Sequence, residues 1–392
     1  MDTKAGSPGS FSHFDLERVE TPAFVVDAAK LRQNCQILAD IRDAAEIKIF
    51  SALKAFSMWS TAPIIGEYLD GVCCSGLWES RLASEFYDGE IATFSPAFKP
   101  KELEEICRLS GHIIFNSPDQ FKRASLILEA ARDSGQDFEV GLRLNPLLQA
   151  GEVEKYDPCS PGSRLGFPID QLVEEHFEGL DGIHIHNLCE QDFEPLKRTW
   201  EAVFDVLEPH FGRLKWINLG GGHHITRSDY QRDELIDFLH HIKADTGAEI
   251  ILEPGEAVAL DAGILIGTIL DVQWNGMPVG VTDISATCHI PDVIEAPYRP
   301  AMLREIENEE HVPIRLGGPS CLAGDVIGDY RLPVPAKPGA RFALLDQAHY
   351  SMVKTNTFNG VPLPNIYLWD SEDDRLELIK SFSYEDFRNR LS

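Results

Sequence analysis

Residues Ile47–Phe56 read IKIFSALKAF, and the fold turns on how this stretch is read. Its first half has the apolar, β-branched character of a strand entering a core. Its second half sets one cation, Lys54, at the strand's C-terminal end among Ala52, Leu53, Ala55 and Phe56. An amine in apolar surroundings loses solvation of its charged form, so its pKa falls. The neutral amine is then free to attack a carbonyl carbon, the property of a Schiff-base lysine. A lysine at a strand end is ordinarily a surface residue whose amine snorkels to water. The rest of the chain decides between the two.

Working outward, Ile47–Leu53 opens a series of short strand-like runs. The others are Gly71–Ser75, Ile91–Ser95, His112–Asn116, Glu139–Asn145, Gly182–Asn187, Trp216–Gly220 and Glu249–Glu253. Helical patterns lie between them: Glu79–Tyr87, Lys101–Leu109, Pro118–Ser134, Asp170–Phe177, Glu194–Leu207 and Asp229–Thr246. Ser117 and Asp119 around Pro118, and Ser228 with Asp229, carry helix-start signals. Eight strand–helix units in succession predict a (β/α)8 TIM-like barrel. A doubly wound open sheet would favour a GxGxxG turn after the first strand, and the chain has none there.

Three segments follow from this rhythm. Residues 1–44 hold a loose start (Met1–His13), a strand (Thr21–Asp27) and a helix (Ala28–Asp43). Residues 45–262 form the barrel, with a Pro/Gly-bearing insert at Asn145–Phe167 of the kind that overlies an active-site face. Residues 263–392 form a mainly β domain with strands at Ile264–Gln273, Pro278–Ile284, Val312–Gly317 and Arg341–Leu345; Thr21–Asp27 is expected to pair with it.

The 392 residues carry a formal net charge of -28, with 43% hydrophobic and 25% charged residues. That balance suits a globular enzyme and disfavours nucleic acid and anionic membranes as partners, since both are polyanions. The eight cysteines show no CxxC pair, so neither a metal site nor a disulfide framework is indicated. Residues 1–20 lack an apolar signal core, and Ala257–Val272 is interrupted by Asp261 and Asp271. A cytoplasmic protein without membrane partners is expected.

In such a barrel the polar residues at strand C-termini converge on one mouth. Here they are Lys54, Ser75, Arg143, His184, His186, Gly220–Gly222 and Glu253. Two-residue periodicity puts His184 and His186 on one face. The loops after strands seven and eight, the usual phosphate site of this architecture, read Gly220-Gly221-Gly222-His223-His224 and Glu253-Pro254-Gly255-Glu256. Successive glycines let backbone N–H groups close around an anion. A carbonyl-seeking lysine, a phosphate cradle, a flat ring and a carboxylate together meet the needs of pyridoxal phosphate.

The stretches SALKAF, CCSGLWESRLA, HIHNLCE, NLGGGHHIT, LEPGEAV, TDISATCHIPDVIEAPYRP, GGPSCLAGD and HYSMVKTNTFNG occur in this order between Thr21 and about Gly360. With them the chain resembles the alanine-racemase-fold (fold type III) pyridoxal phosphate decarboxylases of basic amino acids. Within that family it is similar to the branch acting on carboxynorspermidine and carboxyspermidine. The resemblance implies a homodimer in polyamine biosynthesis, with Lys54 holding the cofactor, His186 stacked on its ring and Glu253 on its pyridine nitrogen. It implies that Arg143 and Cys189 adjoin the cofactor, that Gly220, Gly221, Gly222 and Tyr350 bind the phosphate, and that Cys321 returns a proton to Cα from the partner subunit.

The chain also departs from relatives in the family. Ornithine and diaminopimelate decarboxylases have arginine after EPG where this chain has Glu256; their serine after the stacking histidine is Cys189. The aspartate after the loop cysteine of ornithine decarboxylases is Leu322. These changes shift acidic charge toward the substrate end, where Glu256, Asp283, Asp292 and Asp325 are candidates for holding a polyamine-type amino acid. Decarboxylation of diaminopimelate, ornithine or arginine, racemisation, and a non-catalytic regulatory role stay open at this level. Intact Lys54, Glu253 and Cys321 argue against the last.

Overall fold

The computed structural model describes residues 3–4, 6–151, 154–308 and 310–392. The chain forms two compact units, Arg32–Val258 and Met1–Leu31 with Ala259–Ser392.

The first unit is a closed parallel barrel. Its strands are β1 (Lys48–Ala52), β2 (Gly71–Cys74), β3 (Glu90–Phe94), β4 (His112–Phe115), β5 (Glu139–Asn145), β6 (Gly182–Ile185), β7 (Trp216–Asn218) and β8 (Glu249–Leu252). Each pairs with the next, and β8 returns to β1 through Ile251–Lys48 and Leu252–Ile49. The interior is filled rather than open. Trp216, Phe50, Ala92, Ile114 and Ile251 form one buried cluster. A Cβ on Gly141 or Gly182 would lie 2.2 or 2.1 Å from the Trp216 ring, so both strands carry glycine where the indole crosses the barrel.

The two ends differ in kind. At the N-terminal end Lys48 reaches Glu90 (2.5 Å) and Glu249 (2.9 Å), and His112 Nε2 lies 3.0 Å from Glu90. This polar plug joins strand starts and belongs to stability. The C-terminal end carries a different set of polar side chains.

Local chemistry fixes the helix bounds. Pro118–Asp133 starts where Ser117 Oγ accepts from the Gln120 N–H at 3.3 Å and Pro118 takes the first turn. The helix expected from Asp229 begins later, at Arg232. Asp229 is engaged by Arg227 Nε at 2.5 Å, and the Arg232 guanidinium donates to the carbonyls of Ile225, Thr226 and Arg227. Those bonds hold the preceding loop outside helical geometry. The helix expected over Asp170–Phe177 is replaced by two single turns of 3-10 helix, Ile169–Gln171 and Glu174–Phe177, with Leu172 and Val173 extended between them. Two turns of α-helix fix too few hydrogen bonds to offset nucleation.

In the second unit the sheet runs Val326–Tyr330, Ile314–Gly317, Pro278–Thr282, Gly263–Trp274, Ala23–Asp27, Asn365–Asp370, Arg375–Lys380, with Arg341–Leu345 also on Gly263–Trp274. Ala23–Asp27 is antiparallel to the long strand and parallel to Asn365–Asp370. The chain start is more ordered than its polar composition suggests. Gly9–His13 is a 3-10 turn, and Phe11 and Phe14 are buried against Trp369 with ring centroids 5.3 and 4.9 Å away. Met1, Asp2 and Ala5 lie outside the described residues.

Candidate active site

Five candidates meet at the barrel mouth. Lys54 follows β1 at the turn that closes it, and its amine keeps an accessible face toward the mouth although protein surrounds it. Lys54 Nζ lies 3.0 Å from His186 Nε2. The Gly221 N–H donates to His186 Nδ1 at 3.1 Å. An imidazole that accepts at Nδ1 carries its proton at Nε2 when neutral, so Nε2–H donates to Lys54. Lys54 can accept only as the free amine. Burial lowers the pKa of both groups, with the Arg143 charge adding to the effect. The local geometry and the direction of both shifts favour the uncharged forms. Water admitted to the open mouth tempers the shift on Lys54, and a group filling the mouth would complete it.

Glu253 follows β8 and is buried. Burial alone would raise its pKa. The hydrogen bonds from the His184 ring at 3.1 Å and the Asn218 amide at 2.7 Å outweigh that and hold it ionised. His184 is kept neutral by its own burial. It donates from Nε2, which leaves its buried Nδ1 without a partner. Arg143 sits over the Phe94 ring at 4.6 Å and donates to the His186 carbonyl at 2.8 Å. Burial lowers it to about 10, still a cation at neutral pH. One anion and one cation thus face two neutral imidazoles and a free amine.

The glycine run is a close approach of backbones. Gly220 and Gly222 have φ of 68° and 88°. A Cβ on Gly221 would lie 2.0 Å from the Glu253 carbonyl, and one on Gly222 equally close to that of Leu188. No other residue type fits there. Cys189 is half-buried beside this run, and Glu256 is buried one residue beyond Gly255. Asn218 was not among the sequence candidates; its position two residues before the glycine run, on the face of β7 that turns inward, is the only signal for it.

The other candidates belong to the sheet unit. Cys321 is exposed, and its N–H donates to Asn359 Oδ1 at 2.9 Å. Asp325 is buried and accepts from Ser285 Oγ (2.8 Å), Ser320 Oγ (2.6 Å), Thr287 N (3.2 Å) and Ser320 N (3.3 Å). It fastens the loop that carries Cys321. Asp283 accepts from the Thr268 N–H at 2.7 Å, and burial raises its pKa. Asp292 pairs with Lys354, which also meets Glu295 at 3.0 Å. Tyr350 has φ of 51°.

A closed parallel barrel with a free lysine amine at its mouth, beside a glycine cradle and a buried carboxylate, defines an enzyme that engages an aldehyde cofactor. The family described as "Pyridoxal-dependent decarboxylase, C-terminal sheet domain" matches residues 23–347. The carboxynorspermidine/carboxyspermidine decarboxylase of Campylobacter jejuni is 38% identical over 95% of this chain and 99% of that protein. The carboxyaminopropylagmatine decarboxylase of Synechocystis is 36% identical over 96% of each. The crystal structure of carboxynorspermidine decarboxylase complexed with norspermidine, from Campylobacter jejuni, has a TM-score of 0.86 at 36% identity, covering 95% of this chain and 100% of that one. The chain belongs to the pyridoxal-dependent decarboxylases, and its cofactor is pyridoxal phosphate. The residues fit that group: an accessible amine whose pKa burial lowers, a cradle that any Cβ would fill, and an ionised carboxylate kept from solvent. No described helix is long and apolar enough to cross a membrane.

Proposed function

We propose that the protein decarboxylates carboxynorspermidine and carboxyspermidine to norspermidine and spermidine, as a cytoplasmic homodimer. The observation that carries the substrate class is Glu256, a buried carboxylate that follows β8 and adds acidic charge at that end of the barrel. A chain of protonated amines suits an added anion; the second carboxylate of diaminopimelate does not.

Lys54, whose pKa burial lowers, would hold the cofactor's aldehyde carbon and release it to the substrate amine. His186 would pack its ring on the cofactor and orient Lys54 through the Nε2–H bond. Gly220–Gly222 and Tyr350 would hold the phosphate, and Glu253 would keep the pyridine nitrogen protonated. The bound pyridoxal phosphate serves as a sink for the electron pair left on Cα when carbon dioxide departs. Arg143 holds the His186 segment in place through the carbonyl it binds. Cys321 of the partner subunit then gives its thiol proton to Cα and regains one from water. In this reading Asp292 contacts a substrate amine, while Asp325 braces the loop that carries Cys321 and Asp283 binds the Thr268 N–H.

Purified enzyme should convert carboxynorspermidine to norspermidine faster than it acts on carboxyaminopropylagmatine, diaminopimelate, ornithine, arginine or lysine. Product amines separated by chromatography report this. Preferred turnover of diaminopimelate would overturn the argument from Glu256. Cys321→Ala should keep the cofactor's visible absorbance and lower kcat about 10²–10⁴-fold, the usual range for a lost proton donor. Wild-type kcat and an unaltered product profile in that variant would remove Cys321 from the reaction.

A further inference from the structure

Within the sheet unit, the loop that carries Cys321 is braced from two sides, and both braces reach the same single-turn helix, Ala286–His289. On one side Asp325 gathers Ser320 from the loop and Ser285 and Thr287 from the helix start. On the other side runs the segment 356–362. Asn356 Nδ2 donates to the Thr287 carbonyl at 2.8 Å, and the Asn356 N–H donates to the Cys288 carbonyl at 2.9 Å. His289 accepts the Ser285 N–H on Nδ1 at 3.1 Å, so its Nε2–H donates to the Pro362 carbonyl at 3.0 Å. Both ends of the segment are thereby tied to the helix, and Asn359 lies between them.

Asn359 joins this segment to the cysteine loop. Its Oδ1 accepts the Cys321 N–H at 2.9 Å. Residues 321–324 are all exposed, so packing does not set the place of the thiol and hydrogen bonds must. The Asn359 backbone has φ of 62° and ψ of 10°, the left-handed region. Apart from glycine, asparagine and aspartate are the residues most at ease there. Glycine would take that backbone but offer no acceptor, and an aliphatic residue would offer none and be strained. The backbone and the hydrogen bond thus ask for the same side chain. A proton donor works only within hydrogen-bond reach of the atom it serves, and a misplacement of about 1 Å costs on the order of a hundredfold.

We infer that Asn359 is a positioning residue for Cys321, holding the backbone from which the thiol projects. This rests on the proton-donor role given to Cys321 above and deepens it. Asn359→Gly keeps the left-handed backbone and removes the acceptor, whereas Asn359→Asp keeps both. In the holoenzyme Asn359→Gly should lower kcat about tenfold, with KM within about twofold, and move the product profile in the same direction as Cys321→Ala. Asn359→Asp should stay within about threefold of wild type. The melting temperature and the visible absorbance of the bound cofactor report that each variant is folded and loaded. Hydrogen exchange, followed by mass spectrometry on the peptide holding Cys321, tests the bond apart from turnover. It should quicken about tenfold or more at that amide in Asn359→Gly and stay slow in Asn359→Asp.

The double variant should be no slower than Cys321→Ala alone, because without the thiol Asn359 has nothing to place. Losses that multiply in the double variant would overturn the inference. So would a wild-type kcat in Asn359→Gly beside a slow Cys321→Ala, or exchange at the Cys321 amide that Asn359→Gly leaves unchanged. A wild-type kcat in Cys321→Ala is a separate failure: it removes the proton-donor reading itself, and the positioning role falls with it.

Discussion

Lys54→Ala is expected to abolish the visible absorbance of the cofactor and to lower decarboxylation about a thousandfold or more. The expectation follows from the protonation state of the amine, not from its presence alone. The Gly221 N–H fixes the tautomer of His186, and the His186 Nε2–H then finds Lys54 as an acceptor at 3.0 Å. An ammonium in that place would set two donors face to face. Lys54→Arg supplies the matching control: it restores a cation but never a nucleophilic amine, so it should be as colourless and as slow as the alanine variant. Added pyridoxal phosphate should not restore either one. A yellow, active Lys54→Ala enzyme would return Lys54 to the status of an ordinary strand-end lysine and dissolve the site built around it.

What the sequence makes legible is what a single strand or loop encodes locally. The barrel follows from apolar runs at regular intervals, and its mouth from polar residues that end them. Lys54, His186, the glycine run and Glu253 each stand at such an end. Elements whose stability comes from distant partners are less visible. Asn365–Asp370 and Arg375–Lys380 read as ordinary polar and apolar mixtures; they become strands by pairing outward from Ala23–Asp27. Phe11 looks like part of a loose start until Trp369, far along the chain, covers it. Asp325 reads as a candidate for holding substrate, whereas in the fold Ser285, Thr287 and Ser320 all converge on it. The tautomer of His186 is set by one backbone N–H, a contact that no spacing rule anticipates.

Glu253→Gln should lower kcat about 10²–10³-fold while leaving the cofactor bound, because it removes a charge and little else. The carboxylate lies between the His184 ring and the Asn218 amide, at 3.1 and 2.7 Å. A glutamine can place its carbonyl oxygen on Asn218 and its NH2 on His184, provided that ring moves its proton from Nε2 to Nδ1. Nδ1 is the buried atom that has no partner in the wild type. The exchange therefore leaves one unsatisfied N–H in place of one unsatisfied lone pair, and the melting temperature should change little. In its proposed role Glu253 holds a proton on the pyridine nitrogen by charge, and the variant lacks that charge. The visible band should persist, and the loss should appear in kcat more than in KM. Steady-state kinetics beside a thermal melt separate this from a folding defect. A wild-type kcat with a normal melt would mean that the ring needs no anion here, and His184 and Asn218 would then be packing residues around a carboxylate kept only for the fold.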